Sequence, residues 1–254
     1  MTIPVLMYHA IGNTATGTQQ YDDADFTVSE RKFRTHLDYL KAQGFTAALP
    51  AELSNSGFDH KACLITFDDG HASDAAVALP LLQEYGFSAV FFITTAWIGK
   101  SGYMSEQAIK LLSDAGMEVG SHGHTHKFFN DMTYKEALDE LQLSAQILSR
   151  ITGLKTKSFS APGGQIPERL SELTAAVDLD YVCTSSTGTC GPRNFPFAIP
   201  RTAIRKDLSD SDFIRIVECD PSFYRRVLFR SAVLGGIRRV LGNNLYMSMR
   251  ERLL

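Results

Sequence analysis

Ser121-His122-Gly123-His124-Thr125-His126 places three histidines at alternate positions, and Asp68-Asp69-Gly70 lies earlier in the chain. Two neutral imidazoles and one carboxylate are a common ligand set for a catalytic zinc ion that keeps one position open. His122 and His126, four residues apart, with one of the two aspartates would make such a set. The other carboxylate would then be free to act as general base. A zinc ion lowers the pKa of water to about 7 and polarises a carbonyl, so one site would supply both nucleophile and Lewis acid. Taken alone, paired acids before a glycine are above all a loop signal. His124 points away from its two neighbours if the backbone is regular, which fits a supporting role. His71, just after the glycine, is either a second such support or a surface residue near a helix start.

These groups matter only if the fold gathers them. Apolar runs at Pro4–Tyr8, Ala62–Phe67, Ser88–Thr94, Met117–Gly120, Lys157–Ser160, Tyr181–Thr184 and Phe197–Ile199 read as strands, with a weaker one at Phe45–Ala48. Between them, Ser29 caps a helix carrying Phe33, Leu37 and Leu40 and closed by Gly44. Ser105 opens a second that ends near Gly116, and Thr133 a third that ends near Gly153. Strands interleaved with helices predict an α/β fold, a parallel barrel either complete or distorted. His9, Asp68-Asp69-Gly70, the histidine cluster and Ser160-Ala161-Pro162-Gly163-Gly164 all follow predicted strands. A parallel barrel brings such ends to one face. His36, on the first helix, and His60, in a polar loop, are expected to face solvent.

Composition narrows the function classes. The 254 residues are 44% hydrophobic, enough for a large core, and the net charge of −3 lacks the basic excess that nucleic-acid binding demands. No run reaches the roughly 18 apolar residues of a membrane span, and the start has no basic leader, so a cytoplasmic location is expected. Cys63, Cys183, Cys190 and Cys219 show no CxxC spacing and read as free thiols.

Thr66-Phe67-Asp68-Asp69-Gly70 and His122-Gly123-His124-Thr125-His126 resemble the first two motifs of the polysaccharide deacetylases, carbohydrate esterase family four. The resemblance covers residues 3 to 205. It implies a distorted seven-stranded (β/α) barrel, with Asp68 as catalytic base and Asp69, His122 and His126 as ligands of a metal, zinc or another divalent ion such as cobalt. The family's third motif is Arg-x-Pro-x-Gly, but here Ser160 stands where the Arg belongs. Asp68 would then lack its usual cationic partner, and Arg201, at the end of the last predicted strand, is the candidate to supply it. The family's C-terminal histidine is missing too. Leu6-Met7-Tyr8-His9 resembles the opening of circularly permuted members that act on poly-N-acetylglucosamine. That resemblance makes His9 the general acid.

The implied reaction is metal-dependent removal of an N-acetyl group from an amino-sugar glycan in cell-surface or exopolysaccharide metabolism. A backbone N–H near Gly163-Gly164 would help hold the oxyanion. Ser160 favours one alternative, a catalytically weak sugar-binding relative; a deacetylase or deformylase of a small or lipid-linked sugar is another. Trp97 and Tyr103 either stack on a sugar or pack within their loop. The barrel is assigned to 1–218. Residues 219–254 form a tail whose last part, from Phe223, holds seven Arg against one acid. Ile237, Val240, Leu241 and Leu245 share one helical side there, so the tail would pack on the barrel or touch an anionic membrane at the cytoplasmic face.

Overall fold

The computed structural model describes residues 1–12, 23–59, 61–164 and 169–229. The first strand, β1 (Ile3–Tyr8), leads to helix α1 (Glu30–Ala42), a short β2 (Thr46–Ala47) and α2 (Pro50–Ser56). Then β3 (Ala62–Phe67) is followed by a widened helical turn at Asp74–Ala78 that runs into α3 (Leu79–Tyr85). The βα alternation continues through β4 (Val90–Ile93), α4 (Glu106–Asp114), β5 (Glu118–Ser121), α5 (Tyr134–Thr152), β6 (Ser158–Ser160) and α6 (Leu170–Val177). It closes with β7 (Tyr181–Cys183), β8 (Thr189–Cys190), β9 (Thr202–Ala203) and α7 (Asp210–Val217), and residues 221–229 form one more helical stretch.

Local chemistry explains where these helices start. The Ser29, Ser105 and Thr133 hydroxyls accept from the backbone N–H three residues on, and Thr133 and Glu136 complete a reciprocal capping box. Gly153 takes the left-handed conformation that ends α5.

Seven parallel strands run in the order β7-β6-β5-β4-β3-β1-β9. Ile199 bridges to Cys183 of β7, while Thr202 and Ala203 pair with Leu6 and Met7 of β1. The segment 199–203 thus joins the two edges of the sheet and curls it into the expected distorted barrel. The predicted Phe197–Ile199 strand needs correction. Pro196 and Pro200 flank it, each without an N–H for a ladder, and only Ile199 pairs before the chain reaches β9. The antiparallel pairing of β8 with the start of β1 was not expected either.

Both faces of the sheet are buried, as parallel strands require. Leu6, Tyr8, Ile65, Phe67, Phe91 and Ile93 pack outward against α1, α3, α4 and α7. Val5, Leu64, Val90, Phe92, Tyr181 and Cys183 fill the interior. Alternation carries the inward phase of β3 from Leu64 through Thr66 to Asp68. On β5 it runs from Gly120 to His122, and on β6 it includes Ser160.

His36 is not a solvent residue. It is buried, stacks on Phe213 of α7 with ring centroids 3.8 Å apart, and shares a 3.0 Å hydrogen bond between its Nδ1 and the Tyr8 hydroxyl. Burial pulls its pKa down to about 3. Its position three residues after Phe33 puts it on the apolar face of α1. Phe223 and Tyr224 also enter the core, so the first part of the 219–254 tail packs on the barrel. The tail beyond 229, with Ile237, Val240, Leu241 and Leu245, lies outside the described residues, as does His60.

Candidate functional site

The chain delivers Asp68 and Asp69 at the end of β3, where the Asp68 N–H donates to the Tyr8 carbonyl of β1. Asp69 then takes a φ of 77°, a conformation that costs a non-glycine residue energy and marks sites where geometry matters more than comfort. His122 leaves the end of β5, its N–H bonded to the Ile93 carbonyl. His126 comes from the following loop, again at a positive φ of 63°.

Asp69, His122 and His126 converge. Their nearest ligand atoms all lie within 4.8 Å of one another. Nε2 of His122 is 3.4 Å and Nε2 of His126 is 3.2 Å from the same Asp69 oxygen, Oδ1. Tetrahedral zinc with bonds of about 2.0–2.1 Å separates its ligand atoms by about 3.3 Å, and both histidines stand at that distance from Asp69. Asp69 Oδ1 is buried and takes no hydrogen bond, which is how an oxygen reserved for a cation looks. His122 Nδ1 is 2.7 Å from the Ser160 carbonyl, so this nitrogen carries the proton and Nε2 is left with its lone pair. Burial lowers the pKa of His122 against the pull of both aspartates and keeps it neutral. Asp69 is driven the other way: burial pushes its carboxyl up, and the imidazoles of His126, His71 and His122 gathered round it hold it well below the ordinary range.

Arg201 reaches the site from segment 199–203. The side chain is fully buried and every N–H has a partner. Nη1 donates to Asp68 Oδ1 at 2.6 Å and to Thr66 Oγ1 at 3.2 Å; Nη2 donates to Asp68 Oδ2 and to Ser160 Oγ, both at 2.7 Å; Nε donates to the Thr184 carbonyl at 2.9 Å. Ser160, the residue that replaces the family Arg, is therefore small enough to leave room for this fork and polar enough to satisfy one of its arms. Burial raises the Asp68 carboxyl, but the Arg201 guanidinium beside it outweighs this and leaves the group below its usual pKa.

Other predicted residues sort themselves around this core. His9 lies near enough for its charge to act on both aspartates, with its ring 4.6 Å from Phe26 and Nδ1 buried without a hydrogen bond. His124 turns away to Thr95, Nδ1 to Oγ1 at 2.9 Å. His71 Nε2 sits 3.7 Å from Asp69 Oδ2, and its ring stacks on Tyr103. Trp97 packs between Tyr103, at 4.8 Å, and His126, at 4.7 Å, so these two aromatic rings wall in the histidines. The Gly164 N–H cannot serve an oxyanion, because it donates to the Ala161 carbonyl at 2.8 Å.

Two contributors went unnoticed in the sequence. Thr66 braces Arg201 and carries only the signal of sharing the inward phase with Asp68. Glu140 of α5 accepts from the N–H groups of His124 and Thr125 and from the Thr125 hydroxyl, all at 2.8 Å, pinning the loop between the two ligating histidines. Gly123, at φ 76°, lets that loop pass Phe129 and Glu140, where a Cβ would stand 3.3 and 3.6 Å from their atoms.

The chain is 24% identical over 221 residues to YxkH of Bacillus subtilis strain 168, described as a polysaccharide deacetylase, an alignment covering 85% of this chain and 76% of that one. It spans less than half the length of further curated relatives. Among solved structures, the deacetylase PplD of Streptococcus pyogenes superposes with a TM-score of 0.77 at 21% identity, covering 85% of this chain and 98% of its own. IcaB of Ammonifex degensii follows with 0.72 at 22% identity, covering 85% and 95%. At those identities the superpositions speak for the barrel. The family's sequence pattern matches residues 55–182, half of the chain, spanning Asp68 through Ser160. With pattern, barrel and strand-end constellation agreeing, the chain belongs to the polysaccharide deacetylase family.

Proposed function

We propose that the protein hydrolyses N-acetyl groups of an amino-sugar glycan at a divalent cation held by Asp69, His122 and His126. The observation that carries this reading is the convergence of those three residues beside an aspartate clamped by a buried guanidinium. Two imidazoles and one carboxylate favour zinc, with cobalt as a substitute. When bound, the cation supplies Lewis acidity toward the acetyl carbonyl and makes water acidic enough to attack near neutral pH.

The chain's own groups do the proton work. Asp68 is kept ionised by Arg201 and takes the proton of the attacking water. Arg201 fixes both carboxylate oxygens in one plane, so the base stays aimed at the cation site. His9 gives a proton to the amine nitrogen as the carbon–nitrogen bond breaks. Acetate and a free amino sugar leave. Trp97 and Tyr103 shield the histidines from bulk water on one side. The reading as a weak sugar-binding relative drew on Ser160, and the Arg201–Asp68 pair removes that ground. Relatives are named for peptidoglycan and chitin, and by analogy the substrate is a cell-surface glycan, with a role in exopolysaccharide metabolism part of the same proposal.

The test is acetate release from acetylated hexosamines, offered as monosaccharides, nucleotide sugars and oligomers with added zinc or cobalt. Asp68→Asn is expected to keep the metal and lose at least about 10²-fold in turnover, and His126→Ala to lose the metal itself. Wild-type rates in both variants would overturn the assignment.

A further inference from the structure

Between the two ligating histidines the chain makes a three-residue excursion that costs energy to hold. Gly123 and His126 both take positive φ, 76° and 63°, and for a residue like His126 such a conformation persists only where the surroundings fix it. Two neighbours do so, one on each side. The turn 95–97 offers the Thr95 and Ala96 N–H groups to the carbonyls of Gly123 and His124, at 3.2 and 2.9 Å. On the other side stands α5, whose Glu140 and Ser144 lie one helical turn apart on the same face.

Ser144 Oγ meets Ser121 Oγ at 2.8 Å, and Ser121 Oγ accepts from the Gly123 N–H at 3.1 Å. Glu140 does more. Oε2 accepts from two consecutive backbone N–H groups, those of His124 and Thr125, and Oε1 from the Thr125 hydroxyl, all at 2.8 Å. Hydrogen bonds to a carboxylate are roughly twice as strong as those between neutral groups. The clamp is itself anchored, since α5 is capped at Thr133 and buries Ala137, Leu141 and Leu148.

We propose that Glu140 is the positioning residue that sets the affinity of the site for its cation, by holding His126 within reach of Asp69 before the ion arrives. Without the carboxylate, the His124 and Thr125 N–H groups lose their acceptor and the strained turn relaxes. The ion must then order His126 itself, which weakens binding. His122 is spared, because its N–H is held by the Ile93 carbonyl and its Nδ1 by the Ser160 carbonyl. This role rests on the reading of Asp69, His122 and His126 as ligands, and it adds that their affinity is set from a helix outside the barrel.

The experiment measures zinc affinity by competition with a chromophoric indicator, alongside urea unfolding of the metal-free chain. Glu140→Ala should weaken zinc binding about 10–100-fold, the loss expected when a group that orients metal ligands is removed. Glu140→Gln, which can still turn one carbonyl oxygen toward both N–H groups, should recover most of it, whereas Glu140→Asp, a methylene short, should not. Asp139→Ala, on the exposed side of α5, should bind zinc as the wild type does. A Glu140→Ala chain that unfolds more easily without metal yet keeps the wild-type zinc affinity when folded would overturn the proposal, as would an equal loss in Asp139→Ala. If Glu140→Ala does not fold, Glu140→Asp carries the same expectation and the same refutation. A wild type that binds no zinc would instead refute the cation site itself.

Discussion

Arg201 and Asp68 form a buried ion pair between residues 133 apart in the chain, and its worth lies in what happens when one member goes. Removing one partner of such a pair costs about 3–5 kcal/mol, because the other charge is left buried and uncompensated. Arg201→Ala should therefore lose stability on that scale. Burial alone pushes the Asp68 carboxyl upward, and Arg201 is the first charge that reverses this. Without it the base becomes harder to ionise, and the acidic limb of the kcat/KM profile should move to higher pH. Arg201→Lys keeps the charge but loses the fork, so it should recover much of the stability and only part of the rate. An acidic limb that stays in place in both variants would show that Arg201 merely packs the barrel. Arg201's place at a predicted strand end made it the candidate partner once Ser160 broke the family motif, but the two-armed fork was not readable, because the guanidinium comes from a segment that pairs as β9 and not as the predicted Phe197–Ile199 strand.

At the level of elements, motifs at strand ends were legible because a parallel barrel leaves few places for polar residues to go. Capping residues made α1, α4 and α5 legible for the same local reason. His36 was not, because a histidine on a helix reads as polar unless its three-residue offset from Phe33 is weighed against Phe213, which belongs to a helix far along the chain. Its burial gives a pH signature. An unfolded histidine titrates near about 6.5, the folded one only near about 3, so between those values the unfolded chain binds more protons. Stability contributed by neutral His36 is complete above the upper value and lost as pH falls, at about 1.4 kcal/mol per unit. Asp74, buried without hydrogen-bond partners for its carboxylate, has its pKa pushed well up by burial and acts in the opposite sense over part of the same range. The wild-type curve mixes both effects. Subtracting the urea-unfolding free energy of His36→Gln isolates one: the wild-type advantage should shrink by about 2 kcal/mol from pH 7 to pH 5. A difference independent of pH would mean that His36 is protonated in the folded state.

Across the whole molecule, the candidate cation site ties the ends of two strands to a loop. Asp69 follows β3, His122 ends β5, and His126 belongs to a loop held otherwise by Glu140. Segment 199–203 joins the sheet edges on the same side and brings in Arg201. A cation that binds only the folded chain stabilises it by about 2.7 kcal/mol at a hundredfold excess over Kd. For a chain of this size each kcal/mol shifts Tm by about 2–4 °C. Chelator-treated protein should accordingly melt about 5–10 °C below the same protein with saturating zinc. His126→Ala should melt at nearly the same temperature in either condition, because two ligands remain where three are needed. Asp68→Asn should keep the zinc-dependent rise, since that carboxylate belongs to Arg201 and not to the donor set. If zinc raises the melting temperature of His126→Ala as much as that of the wild type, the ion is bound elsewhere, and the strained conformations of Asp69 and His126 serve some other end.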